Sequence, residues 1–340
     1  MATKRKKNKK LTKKQRFQLK ASFVLLAMIL CIMIGVVIGR NTDPNASLVD
    51  KVVQLPNELK EMILKETEYQ PVEVPKKEST SSNENAIFRF LDIGQGDATL
   101  IQASDGTTIL IDTGRYDDKE KRIIDYLNQY VGTGGKIDLL IFTHNDSDHI
   151  GNGDLVLKYF DVKEVWMNGH DATTKVYEKL LDAIAEKDTA YFEPKAGLTK
   201  AIGPFELEVF NPTNEAKSNQ NDDSIITRVT IGEFSGMFPG DAAKRVEKQL
   251  LANGKSLSST LLHIGHHGSK ESSSTDWLAA VNPKVAIYSA GLNNTYHHPN
   301  IEAMERINAL GIPVYGTDIN GTITVSVAKD GSYTVEPTKK

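Results

Sequence analysis

The chain has 340 residues and a hydrophobic fraction of 39%, which is enough for one large globular domain plus accessory segments. The net charge of −3 hides an asymmetry: the first forty residues contain eleven Lys or Arg and no acid, so residues 41–340 carry 30 basic against 44 acidic side chains, about −14. An acidic region of this kind does not attract polyanions, which argues against a nucleic-acid substrate without excluding one. The only cysteine is Cys31, so the rest of the chain has no disulfide, thiolate ligand or cysteine nucleophile.

A long apolar run follows the basic start. Residues 21–39 consist of Ala, Val, Leu, Ile, Met and Phe, interrupted only by Ser22, Cys31 and Gly35. Nineteen residues at a rise of 1.5 Å nearly match a hydrocarbon core about 30 Å thick, which predicts a transmembrane helix. The run is longer than that of a signal peptide and lacks a clear A-x-A pattern, so we expect an uncleaved anchor. Ten Lys or Arg before it, against one after it, place residues 1–20 in the cytoplasm and the rest outside.

Residues 40–85 have the composition of a stalk or linker. The segment 70–85 contains Pro71, Pro75 and a run of Ser and Thr, which cannot bury a core. The pattern changes at Ala86, where alternating and continuous apolar runs begin. We therefore assign residues 86–340 to one globular domain.

Apolar periodicity predicts the elements of this domain in chain order. Strands are predicted at 87–93, 98–102, 107–111, 137–142, 162–166, 205–210, 224–231, 236–238, 259–263, 285–289, 314–315 and 322–327. Helices are predicted at 117–130, 174–186, 242–252, 275–281 and 301–310. Because hairpins alternate with strand–helix units, we expect an α/β (α+β) sandwich and not a purely doubly wound sheet.

Four potential metal ligands follow the buried strand predicted at 137–142, namely His144, Asp146, Asp148 and His149. In a compact loop the first two can face one way and the last two another, which suits a pair of cations about 3.5–4 Å apart. The alternative explanation is an Asx-rich helix N-cap, because Asp and Ser are favoured there.

Two later clusters fit the same chemistry. Asp241 ends an apolar strand in the sequence FPGD, directly before a predicted helix, where it either bridges two cations or caps the helix. His266 and His267 follow another predicted strand. Adjacent side chains of an extended segment point in opposite directions, so this pair can reach two metals.

The sequence resembles the metallo-β-lactamase superfamily, in particular its ComEC-like branch, and is also similar to the phosphorylcholine esterases that act on teichoic acids. The matching segments follow the family's order and are FLDIGQGDATLI (90–101), ILIDTG (109–114), THNDSDHIGN (143–152), NDDS (221–224), FPGD (238–241), HHGS (266–269), YHHP (296–299) and YGTDINGTITV (315–325). The resemblance implies a four-layer αβ/βα sandwich with a site for two divalent ions.

The resemblance also implies two ligand sets that share Asp241. One ion would be held by His144, Asp146 and one of the His266–His267 pair, and the other by Asp148, His149 and the remaining histidine. Asp146 stands where many superfamily members have His, and Asp at this position is typical of the ComEC-like branch. A more oxygen-rich ligand set makes Mn²⁺ a competitor of Zn²⁺.

Four further residues have two explanations each. The family's GH motif is absent before the FPGD strand, where Asn221 and Asp222 either complete the surroundings of the metals or position substrate. Asp97, in a Gly-Gln-Gly turn, is either a turn residue or close to the metals. His298, before Pro299, is either a surface-loop residue or a contact to a phosphoryl or carbonyl oxygen.

The sequence therefore predicts a membrane-anchored, extracytoplasmic hydrolase that uses two divalent ions, Zn²⁺ or Mn²⁺, to direct a metal-bound hydroxide at a phosphodiester. Asp148, Asp241 and His298 are its predicted catalytic residues. The predicted substrate is either a cell-envelope polymer or a nucleic acid, and the acidic charge of the domain favours the envelope polymer. The alternatives are a carbon-ester or lactam hydrolase and a non-enzymatic binding module anchored in the membrane. The sequence indicates no protein partner.

Overall fold

The computed structural model describes residues 84–213 and 219–339. The predicted basic segment 1–20, the transmembrane run 21–39 and nearly all of the 40–85 linker lie outside the described residues. Within the two described ranges, no helix combines the length and the apolar character needed to traverse a bilayer. The first strand begins at Glu84, two residues before the domain start expected at Ala86.

Seventeen strands and seven helices alternate along the described ranges. The strands are β1 (Glu84–Phe90), β2 (Thr99–Ala103), β3 (Thr108–Ile111), β4 (Lys136–Ile137), β5 (Leu139–Ile141), β6 (Asp161–Val162), β7 (Glu164–Trp166), β8 (Ala190–Phe192), β9 (Thr199–Ile202), β10 (Phe205–Asn211), β11 (Ile226–Ile231), β12 (Phe234–Phe238), β13 (Leu261–His263), β14 (Val285–Tyr288), β15 (Val314–Gly316), β16 (Ile323–Ala328) and β17 (Tyr333–Pro337). The helices are α1 (Arg122–Tyr130), α2 (Gly153–Tyr159), α3 (Lys175–Glu186), α4 (Lys244–Ala252), α5 (Thr275–Val281), α6 (Ile301–Ala309) and α7 (Thr317–Asn320).

The strands form two large mixed sheets. The first has the order β17-β16-β1-β2-β3-β5-β7-β8, antiparallel from β17 to β3 and parallel from β3 to β8. The second has the order β15-β14-β13-β12-β11-β10-β9, parallel from β15 to β12 and antiparallel from β12 to β9. Strands β4 and β6 form a separate short parallel pair.

A continuous apolar core lies between the two sheets. Side chains alternate along a strand, so each strand sends every second residue into this layer. The Phe88 ring of the first sheet lies 5.3 Å from the Phe234 ring and 6.4 Å from the Phe205 ring of the second, measured between centroids. Full burial of each such ring contributes about 1.5–3 kcal/mol. This core holds the sheets face to face.

Helices cover the outer faces. On the second sheet, Val246 and Leu250 of α4 and Trp277 and Leu278 of α5 join one buried cluster with strand residues such as Leu262. On the other side of the molecule, α1, α2 and α3 bury apolar stripes of their own. The result is the mixed α/β sandwich of helix, sheet, sheet and helix layers that the sequence predicted.

Several boundaries differ from the prediction. Helix α1 begins at Arg122 and not at residue 117, because Asp118 accepts a hydrogen bond from the Arg122 amide and Lys121 has a left-handed backbone with φ of 50°. Helices α2 and α7 and strands β8, β9 and β17 were not predicted. They are three to seven residues long, which is too short for a periodic apolar pattern to stand out.

The topology places several strand ends at one edge of the sandwich. Parallel strands β3 and β5 lead into Asp112 and the loop 143–149, while parallel strands β12 and β13 lead into Asp241 and the His266–His267 pair. Carboxyl ends of parallel strands share an edge of a sheet, which is where ligands of α/β proteins bind.

Candidate metal centre

The side chains of the loop 143–149 converge on Asp241. His144 Nε2 lies 3.5 Å from Asp146 Oδ2 and 3.8 Å from Asp241 Oδ2. His149 Nε2 lies 3.4 Å from Asp241 Oδ1. Asp241 thus presents one oxygen towards each histidine, as a carboxylate between two cations would.

The two adjacent histidines also point at Asp241. His266 Nε2 and His267 Nε2 lie 3.5 Å and 3.8 Å from Asp241 Oδ2, and His267 Nε2 is 3.5 Å from Asp148 Oδ2. His267 therefore groups with Asp148 and His149, while His266 contacts Asp241 outside that group.

The backbone of this pair is not the extended segment that we expected. His266 and His267 have φ of 52° and 53°, in a short turn of 3-10 helix. Two successive left-handed residues without Gly are uncommon and mark backbone strain at a functional site. The prediction of an extended segment with its two side chains pointing in opposite directions was wrong. The turn nevertheless brings both rings to the same carboxylate, that of Asp241.

Hydrogen bonds to Nδ1 fix the orientation of three rings. Asp112 Oδ2 lies 2.8 Å from His149 Nδ1, and the Ser289 carbonyl oxygen lies 2.9 Å from His267 Nδ1. The Thr143 hydroxyl donates to Asp112, so its oxygen can accept from His144 Nδ1 at 3.2 Å. A ring that donates from Nδ1 to these acceptors can bind a metal through Nε2 once Nε2 is unprotonated.

The atoms that face the centre of the cluster have no other partner. Among the described residues, the buried Nε2 atoms of His144, His149 and His267 and the Oδ1 atom of Asp241 accept or donate no hydrogen bond. Buried polar atoms are almost always satisfied, so the convergence of these four on one point fits a bound ligand. Ligand atoms of two overlapping groups lie within 4.8 Å of one another: His144, His149 and Asp241, and Asp148, His149 and His267.

The charges of the cluster also indicate a bound cation. Burial raises the pKa of Asp97, but His263 and His267 lower it by more, to about 2. Burial also raises the pKa of Asp241, and the neighbouring histidines lower it well below its ordinary value. Burial lowers the pKa of His149, while Asp241 and Asp112 raise it well above the usual range. Buried carboxylates at this density need positive charge, from protons or from divalent cations.

The donor set fits divalent cations. Imidazole nitrogens and carboxylate oxygens suit Zn²⁺ and Mn²⁺, and each half of the cluster has three or more such donors around the shared Asp241. His144, Asp146 and His266 would hold one ion, and Asp148, His149 and His267 the other. The structure thus brings together all seven residues that the sequence proposed as ligands.

Sequence reasoning missed the residues that support these ligands. Asp112 lies in the quoted ILIDTG segment but was given no role, although it contacts His149 and the Thr143 amide. Ser224 Oγ accepts a hydrogen bond from the Asp241 amide. Gln220 Nε2 donates to Asp146 Oδ1, which leaves Oδ2 for a cation.

Asp97 lies against the centre. Its Oδ1 is 3.4 Å from His267 Nδ1 and its amide donates to the Asp148 carbonyl oxygen. Gly96 has φ of 123°, and a Cβ there would overlap that same carbonyl, so the turn approaches the loop more closely than any other residue would permit. Asp97 is therefore a buried neighbour of the ligands as well as a turn residue.

The other three residues have different surroundings. The His298 ring lies 5.6 Å from that of His266 and 6.2 Å from that of His267, between centroids, so it borders the centre. Asp222 instead forms an ion pair with Arg245, and Asn221 is partly exposed in the same turn. From this turn it is Gln220 that contacts the proposed ligands, through Asp146.

Comparison of the sequence with protein-family models identifies the family of this chain. The sequence model of the metallo-beta-lactamase superfamily matches residues 91–291, more than half of the chain. The chain belongs to the metallo-β-lactamase superfamily.

Its relatives place it within that superfamily. The chain is 32% identical over 266 residues to ComE operon protein 3 of Bacillus subtilis, covering 73% of this chain and 34% of that protein. It is 29% identical over 267 residues to competence protein ComA of Neisseria gonorrhoeae (77% and 34% covered), and 31% identical over 246 residues to recombination protein 2 of Haemophilus influenzae (71% and 29% covered). These are ComEC-like proteins, which confirms the resemblance to that branch. The chain spans about a third of the length of these relatives.

A solved structure shares the fold. A mutant of the CmlA beta-hydroxylase superposes with a TM-score of 0.51 at 14% sequence identity, covering 85% of this chain and 61% of that chain. At this identity the similarity concerns the fold alone.

Proposed function

We propose that the chain is a phosphodiester hydrolase that uses two divalent cations, Zn²⁺ or Mn²⁺. The observation that carries this proposal is the set of buried, unpaired donor atoms of His144, His149, His267 and Asp241, which face one another within the described part of the chain. When bound, the cations supply Lewis acidity and an activated water nucleophile.

The protein's own residues have separable tasks in this reaction. Asp241 lies between the two ligand sets and fixes their separation. Asp148, whose Oδ2 lies 3.5 Å from His267 Nε2, would help to hold one cation and, as the predicted base, would take up the proton of the attacking water. Burial, and then the neighbouring His267 and His266, lower the pKa of His298 to about 4, so its neutral ring can donate a hydrogen bond to a phosphoryl oxygen near neutral pH.

Two observations favour a phosphodiester over a carbon ester or lactam. Asp146 in place of histidine makes the ligand set richer in oxygen, which favours cations that bind phosphate oxygens. The relatives are named as competence and recombination proteins, which directs attention to nucleic acid. The balance of about −14 over residues 41–340 instead favours an envelope polymer that also carries cations, such as a phosphocholine-bearing teichoic acid. Both are phosphodiesters.

A comparison of two substrates tests this function. We expect the full chain, supplemented with Mn²⁺ or Zn²⁺, to hydrolyse bis-p-nitrophenyl phosphate and not the lactam nitrocefin. Asp241→Asn should abolish this activity, whereas Asp161→Asn, which alters an exposed ion pair with Lys163, should leave it unchanged. Turnover of nitrocefin alone would refute the phosphodiesterase and support the lactam hydrolase. Absence of any bound metal after supplementation would support the binding module.

The location is a second part of the proposal. The apolar run 21–39 and the basic residues before it support a single-pass anchor with the hydrolase domain outside the cell. Protease added to intact cells should then degrade the domain while sparing cytoplasmic proteins. Recovery of an intact, carbonate-extractable chain would contradict the anchor.

A further inference from the structure

A second pair of a histidine and an aspartate lies beside the metal centre. His170 Nε2 is 2.5 Å from Asp223 Oδ2. The Asp223 side chain is 2% exposed, whereas that of His170 is 20% exposed. Neither residue belongs to the ligand groups found among the described residues. Neither residue is among those that the sequence pattern marks as functional.

The backbone of His170 is fixed against the metal loop. Its carbonyl oxygen accepts hydrogen bonds from Asn145 Nδ2 at 2.8 Å and from Tyr177 Oη at 3.1 Å. Its amide donates to Asn168 Oδ1 at 3.0 Å. Asn145 lies between His144 and Asp146 in sequence, so the segment that carries His170 is tied directly to the loop of ligands.

Asp223 is tied to the same half of the centre. It ends a 3-10 turn, Gln220–Asp223, whose Gln220 side chain donates to Asp146 Oδ1. One short turn thus holds both the Asp146 ligand and the His170 ring. The pair is therefore tied to the Asp146 side of the centre, while the His298 ring lies 5.6 Å from the His266 ring and 6.2 Å from the His267 ring.

The arrangement has the chemistry of a proton donor. A buried carboxylate bonded to one ring nitrogen fixes the tautomer and the orientation of a histidine, and directs its other nitrogen outwards. Here the Asp223 carboxylate engages Nε2, so Nδ1 of the partly exposed ring is the nitrogen that can contact a bound molecule.

We propose that His170, oriented by Asp223, donates a proton to the leaving oxygen of the phosphodiester; this inference rests on the proposed function. In the step, a new bond forms between phosphorus and the oxygen of water, and the bond between phosphorus and the leaving oxygen breaks. The electron pair of the broken bond passes to the leaving oxygen, which takes the proton from His170 Nδ1. The proton lost by water passes to solvent, and solvent returns one to His170. His170 is a catalytic residue in this scheme, and Asp223 positions it.

The test uses two aryl phosphodiesters that differ in their leaving groups. The p-nitrophenolate released from bis-p-nitrophenyl phosphate is stable without a proton, whereas the phenolate released from diphenyl phosphate has a conjugate acid with a pKa of about 10, like tyrosine. In the metal-loaded full chain, His170→Gln should lower kcat for diphenyl phosphate about 100-fold and leave that for bis-p-nitrophenyl phosphate nearly unchanged. Asp223→Asn, which keeps the ring, should show the same selectivity with a smaller loss.

Two further readouts separate the outcomes. His170→Gln should bind as much metal as the wild type by elemental analysis, and the exposed His297→Gln should behave as the wild type on both substrates. Equal loss on both diesters, or loss of metal, in both the His170 and Asp223 variants would overturn the inference and assign the pair a structural or ligand role. Unchanged turnover of diphenyl phosphate by His170→Gln would overturn the inference alone. Failure of the wild type to cleave either diester would overturn the proposed function together with the inference.

Discussion

Asp112 Oδ2 lies 2.8 Å from His149 Nδ1, and both side chains are almost completely buried. The same carboxylate accepts hydrogen bonds from the amide and hydroxyl of Thr143. Asp112 therefore orients His149 directly and His144 through the Thr143 hydroxyl. One residue outside the ligand set organises both histidines of the loop.

Replacement of Asp112 should weaken metal binding. Asp112→Asn leaves one acceptor oxygen where the carboxylate has two, so it cannot accept at once from the Thr143 amide on one side and from His149 Nδ1 and the Thr143 hydroxyl on the other, and at least one of these contacts is lost. We expect the affinity for Mn²⁺ or Zn²⁺ to fall about 10–100-fold, as measured by competition with a chromophoric chelator. Asp161→Asn is the matched control and should bind as the wild type. An unchanged affinity in a folded Asp112→Asn protein would show that the contact does not tune the centre.

The stability of the metal-free protein should decrease as the pH rises above neutrality. Burial lowers the pKa values of His149 and His267, but adjacent carboxylates raise both well above the ordinary value. Groups whose pKa is raised on folding contribute stability that is complete below the unfolded pKa of about 6.5 and is lost as the pH rises through the folded pKa. Asp97 and Asp241, whose pKa values are lowered, contribute stability above about pH 4 that is lost as the pH falls through their folded values.

The raised pKa values of His149 and His267 also predict how stabilisation by metal depends on pH. A cation replaces the protons on the histidines, so the rise in Tm on adding metal should grow from pH 6 to pH 9. Thermal unfolding of the chelated and the metal-loaded chain across this range measures it. A metal-induced shift that is constant or shrinks with pH would contradict the assignment of His149 and His267 as ligands.

A methyl group at Gly96 should destabilise the domain. Gly96 has φ of 123°, and its Cβ would overlap the Asp148 carbonyl, whereas Gly106 has φ of 90° and open space around it. We expect Gly96→Ala to lower the free energy of unfolding by about 2–5 kcal/mol, from strain and overpacking together, and Gly106→Ala by about 1 kcal/mol from strain alone. Denaturant titrations of the two variants measure the difference. Equal losses would mean that the turn and the metal loop are not in close contact.

His298 should act as a neutral donor. Burial lowers its pKa, and His267 and His266 lower it further, to about 4. The loss of kcat in His298→Gln, about 100-fold for a hydrogen-bond donor to developing charge, should therefore be the same at every pH from 6 to 9. The pH–rate profile for bis-p-nitrophenyl phosphate measures it, with His297→Gln as control. A loss confined to one side of neutrality would show that His298 titrates in the reaction.

The convergence of the proposed ligands could be predicted because each of them follows a buried apolar strand. The loop 143–149, Asp241 and the His266–His267 pair come directly after β5, β12 and β13, and strand ends of this kind meet at one edge. The two-sheet architecture was predictable for a related reason, since the longer apolar runs mark most of its strands.

The supporting residues were not predictable from local patterns. Asp112 precedes Thr143 by 31 residues and His170 precedes Asp223 by 53, and only the packing of the strands brings each pair together. The left-handed turn at His266 and His267 also escaped prediction, because its conformation is held by tertiary contacts such as that between His267 and Ser289. Local preference alone predicts an extended segment there.

The metal content of the purified full chain tests the central claim most directly. After supplementation with Mn²⁺ or Zn²⁺ and removal of excess ions, elemental analysis should find about two divalent ions per chain, as expected for a binuclear hydrolase. Asp241→Asn, which removes the shared carboxylate, should bind fewer, while Asp161→Asn should match the wild type. A wild-type chain that binds no metal, or an Asp241→Asn variant that binds as much as the wild type, would contradict the account.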